Sequence, residues 1–441
     1  MSDKQQRLDD DALRLHALYR GKIQTTTKCP IRDFADFGVW YTPGVAAPCR
    51  EIQEHPERVY EYTNKGNSIA IVSDGTRILG LGDIGPEAGL PVMEGKALLF
   101  KYLGGVDAVP ICLRTKDPDE LVRTVSILEP SFGGINLEDI AQPKCFAVLD
   151  RLRATMGIPV WHDDQQGTAT VVLAALTNAL KISSKQLNNV RIAMIGMGAA
   201  NVATYRLLVK AGVQPAAVIA CDRTGILHRR RRDVEQLQSK YVDKWRICRD
   251  SNGDQIEGGV AEALRHADVC IAFSASGPAV IRPEWVGTMN RDAIVFACAN
   301  PIPEIWPAAA KEAGAFIVAT GRGDFPNQLN NSLSFPGIFR GVLDVRARNI
   351  TEEMAVVAAA ELAAAATSRG LHPEHILPRM DEWEIYPRIA AAVGMAAQVE
   401  GVARISRTHD ELLHSATQTI RKSRAMFQAL ATGGILAEQP E

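Results

Sequence analysis

The 441-residue chain lacks an excess of either charge, a paired-cysteine motif and a long apolar run, and each lack narrows what it can be. Lys and Arg total 49 against 51 Asp and Glu. No global field therefore draws it to nucleic acid or to an anionic membrane, and its expected partners are small molecules. The eight cysteines, at positions 29, 49, 112, 145, 221, 248, 270 and 298, form no Cys-x-x-Cys pair, and several lie in apolar runs. Reduced, buried thiols in a cytoplasmic protein are the expectation. No uninterrupted apolar run approaches the ~20 residues of a membrane-spanning helix, and the charged start MSDKQQRLDDD is unlike a signal peptide. Internal repeats and low-complexity linkers are missing too.

What is present is length enough for two or three domains and a regular alternation of strand-like and helix-like segments. In the first half, Asn67 to Gly75, Arg77 to Gly85 and Ala108 to Leu113 read as strands, with Lys22 to Thr26 a shorter one. Residues 9 to 20, Ala46 to Glu54, Met93 to Lys101 and Asp119 to Leu128 read as helices. Such alternation predicts a mostly parallel α/β sheet. Tyr41 falls at the turn made by Pro43 and Gly44, where a packing role is the commoner one. Lys96 would stand near the start of its helix, against the helix dipole, which calls for some other reason to be there.

The stretch from Asn136 to Thr170 brings acids to two turns. Glu138 and Asp139 open it; Asp163 and Asp164 follow the apolar Ile158 to Trp161. Three or four carboxylates from two turns suit a hard cation such as Mg²⁺ or Mn²⁺. They also suit ordinary loop and helix-cap roles. Further on, Val190 to Asn201 is a strand, a turn carrying Gly196, Gly198, Ala199, Ala200 and Asn201, and the start of a helix; the next strand ends at Asp222. In that context the glycines predict a dinucleotide, its pyrophosphate on the helix N-terminus and its ribose on Asp222. Asn201 stands where a third glycine would be. Arg223 and the run Arg229 to Arg232 leave NADP open, while Asp222 tilts the choice toward NAD. Asn300 and Asn331 sit at strand ends, where ligands bind in open sheets, or else cap turns. From Thr351 the chain turns helical: Glu352 to Ser368, Tyr386 to Ile405 and Asp410 to Ala431.

Taken in order, YTPGVA, SDGTRILGLGDIG, PVMEGKALLFK, NLEDI, HDDQQGTAT, FACANP and PNQLNNSLSFPG resemble malic enzyme, in its short bacterial form, across nearly all of residues 20 to 400. The resemblance implies an N-terminal α/β substrate domain over 1–164, a Rossmann-like NAD(P)-binding domain over 165–380 and C-terminal helices over 381–441. It implies oxidative decarboxylation of L-malate to pyruvate and CO₂ with reduction of NAD or NADP. By the same likeness Lys96 is the general base and Tyr41 the general acid, Asp163 orients the lysine, and Glu138, Asp139 and Asp164 hold Mg²⁺ or Mn²⁺. Arg77, Asn300 and Asn331 contact substrate, Asn300 also the nicotinamide, and a homodimer is expected. Since the chain runs out near residue 440, the form fused to a phosphotransacetylase-like module is not expected. Redox-neutral conversion of malate to lactate, oxaloacetate decarboxylation and a catalytically silent NAD-binding protein are the alternatives.

Overall fold

The computed structural model describes residues 3–437. Strands β1 (Ser68–Ser73), β2 (Asp107–Cys112), β3 (Gly134–Leu137) and β4 (Val160–His162) form a parallel four-stranded sheet in the order β2-β1-β3-β4. Its central strand, SIAIVS, is buried at every position. A parallel strand covered on both faces runs apolar through its middle, here Ile69 to Val72 between two serines, whereas the edge strand β2 keeps partial exposure and tolerates Pro110.

A second sheet has six strands: β5 (Ile192–Ile195), β6 (Val218–Asp222), β7 (Gly225–Ile226), β8 (Val269–Ala272), β9 (Ala293–Ala297) and β10 (Ala315–Thr320). Their order is β10-β9-β8-β5-β6-β7, parallel except for the short β6–β7 pair. From β5 the chain steps out to β6 and β7 on one side, then crosses back to β8 on the other. The crevice beyond the strand ends at that reversal is where open sheets of this kind bind ligands.

Two expected strands do not form. Arg77 to Gly85 is a looped turn holding only an isolated Ile78–Gly82 bridge. Gly75, Gly82 and Gly85 all take positive φ, and so does Leu79, at 46°; a backbone bent that often cannot run along a ladder. Lys22 to Thr26 is irregular for want of a neighbouring strand to pair with.

The two sheets share one core. Ile69, Phe100 and Trp161 from the first half belong to the same buried cluster as Met194, Ile271 and Phe296 from the second, with Phe335, Leu362 and Ile389 from later helices. Phe100 packs at 4.5 Å on Phe335 and edge-on at 5.2 Å on Phe339, contacts contributing about 1 kcal/mol each beyond the area they bury. The helices Glu352–Ser368, Ile385–Val399 and His409–Thr432 complete it. The last returns to the first half, where Ser423 Oγ donates to the Lys101 carbonyl at 2.8 Å and Tyr102 meets Phe427 edge-on at 5.4 Å. It thereby braces the helix that carries Lys96. Among the described residues no helix is long and apolar enough to cross a membrane.

Candidate active site

Lys96 lies in the middle of the helix Pro86–Gly104, not near its start. The helix begins at Pro86, because Gly85 at φ +89° ends the glycine-rich turn and proline is preorganised for a first helical turn. The dipole argument therefore drops out, and the reason for the lysine is what surrounds it. Its Nζ is 2.8 Å from Glu138 Oε1, is hydrogen-bonded to Asp163 Oδ2 and stands 4.4 Å above the Phe335 ring. Burial pulls its pKa down. Asp163, Glu138 and Asp164 outweigh that and raise it above the ordinary lysine value, so it is held as the ammonium.

The acids come from the tips of neighbouring strands. Glu138 and Asp139 follow β3. Asp163 and Asp164 follow β4 and lie in a single π-helical turn, Asp163–Gly167, of the kind often found at functional sites. The two tips are tied together by the Asp139 backbone N–H, which donates to Asp164 Oδ2 at 2.8 Å. Asn136 donates to Glu138 Oε2 at 2.9 Å and the Trp161 indole to Asp163 Oδ1 at 3.2 Å. Asp139 adopts φ +54°, a strained choice for a residue with a side chain. Burial and the charge of Asp164 push its pKa up to about 8, and burial raises those of Glu138 and Asp163 as well.

No three His, Cys, Asp or Glu side chains among the described residues stand close enough to grip a metal ion as they lie. The reason is visible, since Glu138 is engaged with Lys96. The donor set nonetheless fits a divalent cation. Four carboxylates face one ammonium, and Asp139 Oδ2 is buried with no hydrogen-bond partner, an arrangement that added positive charge would relieve.

Of the residues expected to contact substrate, Arg77 and Asn331 border the acid cluster, and Asn300 lies against the glycine-rich turn. Asn331 borders the π-turn: a Cβ on Gly167 would collide with Asp163 and lie 3.4 Å from the Asn331 Cβ. Asn300 wedges between the two halves, since a Cβ on Gly80 would strike its carbonyl and one on Gly321 would come within 2.7 Å of its Nδ2. Arg77 donates its backbone N–H to the Asp139 carbonyl at 3.0 Å while its exposed side chain lowers the Asp139 pKa. Tyr41 is the exception. It is 72 % exposed and caps the helix Phe34–Trp40, and among the described residues no hydrogen bond or ion pair joins it to Lys96, whose partners are Glu138 and Asp163.

At the dinucleotide turn, Gly196 has φ +85°, and a Cβ there would press on Phe273 and Ser274. A Cβ on Gly198 would meet nothing within 4 Å, which leaves open the face where a pyrophosphate would lie above Ala199 and Ala200. Asn201 replaces the missing glycine by tucking under the turn; its buried Nδ2 donates to the carbonyls of Gly196 at 2.8 Å and Ile195 at 3.1 Å. Asp222 closes β6 with its carboxylate already engaged, and Arg223 beside it is exposed.

Sequence models for the malic enzyme N-terminal domain and the malic enzyme NAD-binding domain match residues 20–153 and 165–398. The chain belongs to the malic enzyme family. The bifunctional malic/malolactic enzyme of Bacillus subtilis (strain 168) is 46 % identical over 409 residues, covering 92 % of this chain and 97 % of that one. The NAD-dependent malic enzyme of Geobacillus stearothermophilus is 48 % identical over 384 residues, 87 % of this chain and 78 % of that one. The crystal structure of the Entamoeba histolytica malic enzyme superposes with a TM-score of 0.96 at 46 % identity, covering 99 % of this chain and 91 % of that one.

Sequence reasoning missed two residues of this malic enzyme site. His162, fully buried beside Asp164 at 3.6 Å, has both ring nitrogens unpartnered, and burial takes its pKa down to about 4. Its place directly before the acid pair was the available signal. Phe335 under the lysine had none, because stacking across 239 positions leaves no mark on spacing.

Proposed function

We propose that the chain oxidatively decarboxylates L-malate to pyruvate and CO₂ with reduction of a nicotinamide dinucleotide, at the cleft between the two sheets. The observation that carries the assignment of roles is the nest of four carboxylates around the buried Lys96. Glu138, Asp139 and Asp164 would hold Mg²⁺ or Mn²⁺. When bound, the cation supplies Lewis-acid charge against the negative charge that develops as CO₂ leaves, and the nicotinamide takes the hydride.

The remaining work falls to side chains. Lys96 Nζ takes the proton of the malate 2-hydroxyl as the C2 hydride departs. Its burial already favours the neutral amine, and the carboxylates oppose this only while their charge is unbalanced. Asp163 orients Nζ by accepting its hydrogen bond, and Phe335 covers one side and keeps water from it. Cleavage of C3–C4 leaves enolpyruvate, and Tyr41 Oη gives a proton to C3, to be restored from Lys96. Arg77, Asn300 and Asn331 hold the carboxylates and the nicotinamide edge.

Tyr41 reaches such a site if it comes from a second copy. Phe34 at 90 %, Val39 at 61 % and Trp40 at 51 % exposure share its surface, an apolar face of the sort that marks an interface. We take the working unit to be a homodimer in which this segment crosses to the partner's cleft. We take residues 1–164 as the substrate unit, 165–380 as the dinucleotide unit and 381–441 as the helices that brace them, residues 438–441 lying outside those described. Eight unpaired thiols support a cytoplasmic setting.

The test is absorbance at the reduced-nicotinamide band with malate, Mn²⁺ and either dinucleotide. A signal matched by pyruvate supports the proposal. The name of the Bacillus subtilis relative favours one second reading, conversion of malate to lactate with no net change in the cofactor; lactate produced without that signal would establish it.

A further inference from the structure

We infer that His162 is a positioning residue for the divalent cation: its imidazole backs Asp164 and leaves one carboxylate oxygen of that acid free for the metal. The inference rests on the proposed metal site and adds to it a side chain outside the four acids.

His162 is a ring with nothing to bond to. It is fully buried, and neither Nδ1 nor Nε2 has a hydrogen-bond partner among the described residues. An uncharged imidazole carries one donor and one acceptor, and buried polar groups of folded proteins are as a rule satisfied. The backbone does not explain the residue type, because the His162 N–H donates to Gln166 Oε1 at 2.9 Å, a bond open to any residue but proline. What calls for histidine is the ring.

The carboxylate in front of it has one oxygen in use. Asp164 Oδ2 accepts from the Asp139 backbone N–H at 2.8 Å, and His162 Nδ1 stands 3.6 Å from the same oxygen. That gap is just beyond hydrogen-bond length. Asp164 Oδ1 accepts no hydrogen bond among the described residues, and the side chain is 34 % exposed, unlike the fully buried Asp163. With the ring N–H closing on Oδ2 beside the backbone N–H, Oδ1 is the oxygen left to a cation. Ligating carboxylates are ordinarily fixed by such outer hydrogen bonds.

Strand β4 uses the same device twice. Its residues alternate between faces: Trp161 belongs to the core shared by both sheets and Val160 to the cluster on the other side. Trp161 Nε1 donates to Asp163 Oδ1 at 3.2 Å and leaves Oδ2 to Lys96. His162, on the Val160 face, stands behind Asp164. Each acid of the pair thus has a ring two residues before it, one backing the acid that holds the lysine, the other the acid proposed for the metal. Lys96 is bonded to Glu138 and Asp163 and not to His162, so the ring acts through Asp164 rather than on the base.

The experiment is titration of the full-length, metal-free protein with Mn²⁺, read as loss of the free-ion electron paramagnetic resonance signal, with no malate or dinucleotide present. His162→Leu is expected to weaken Mn²⁺ binding by about 10–100-fold. His162→Asn puts an amide N–H where Nδ1 stands and should recover Mn²⁺ affinity to within about threefold of wild type, whereas His162→Gln puts it where Nε2 stands and should not. A ring that only filled space would be replaced equally well or equally badly by the two amides. Equal affinities in Asn and Gln, or a Leu variant that binds Mn²⁺ as wild type does, would therefore overturn the inference and leave the metal site standing. Loss of a cooperative thermal melt in all three variants would make His162 a packing residue and overturn it too. If wild type takes up no Mn²⁺, the metal reading itself fails.

Discussion

The chain sets carboxylates at strand tips in both sheets, four beyond β3 and β4 and one beyond β6, and their charge balances differ. Beyond β3 and β4, four acids surround one lysine; Asp139 is pushed up to about 8 and the lysine is held charged. Beyond β6, a single acid meets Arg231 and Lys244, and its pKa drops to about 2. Burial raises the carboxyl pKa in both places. What differs is the count of cations per acid: in the first, four acids share one lysine and would gain from added positive charge, whereas in the second Arg231 and Lys244 balance Asp222 and Asp233.

The most severe way to break the first site is to remove its lysine. Lys96→Ala is expected to lower kcat/KM for malate by about 10³-fold, within the range of a lost general base, while dinucleotide affinity stays within a few-fold. Steady-state kinetics alongside cofactor titration check this, and an equal loss of both would make Lys96 a packing residue. Next comes the cation. Asp164→Asn should raise the Mn²⁺ concentration needed for half-maximal rate by about 100-fold, since loss of even an outer partner costs 10–100-fold. An unchanged requirement would remove Asp164 from the ligand set.

A third test asks whether the acid cluster is complete within one chain. Tyr41→Phe should cost about 10²-fold in rate. Mixed and refolded with inactive Lys96→Ala chains, it should regain activity, because a heterodimer joins one intact Tyr41 to one intact Lys96. Failure of that complementation, with heterodimers present by mass, would place both groups in one chain.

The mildest test uses pH to read the two clusters in opposite directions. Asp139 folds with a pKa near 8 against an ordinary 3.8. Between those values the folded chain holds a proton that the unfolded chain lacks, so metal-free stability falls as pH rises, and Mn²⁺ binding strengthens toward pH 8. Asp222 runs the other way, from 3.8 down to about 2. It stabilises above 3.8 and loses that contribution as pH falls through 2, by roughly 1–2 kcal/mol once solvent screening is allowed for. Asp222→Asn should flatten the acid limb of a melting profile and leave the limb near pH 8 in place.

Much of this was legible in the residues. The four-residue apolar run of β1, the helix 352–368 and the helix 46–54 were readable because local periodicity and propensity decide them. The glycine-rich turn after β1 misled, since Ile78, Leu79 and Leu81 look like a strand until the positive φ of their neighbours is known. Lys96 was placed too close to a helix end because the helix was read from Met93, whereas it starts at Pro86 and runs through Pro91. His162 and Phe335 escaped because their meaning depends on partners far away in the chain.

By itself, then, the sequence determined the types and order of the chemical groups: acids at two turns, a lysine on a helix, glycines before a dinucleotide helix, and through them the family. Spacing can do this because strand tips and turns are local. The charge state of each group was decided only by tertiary structure. Whether Lys96 is an ammonium, whether Asp222 has an acceptor to spare and whether Tyr41 faces its own cleft all depend on which partners folding brings within a few ångströms and how much water it removes.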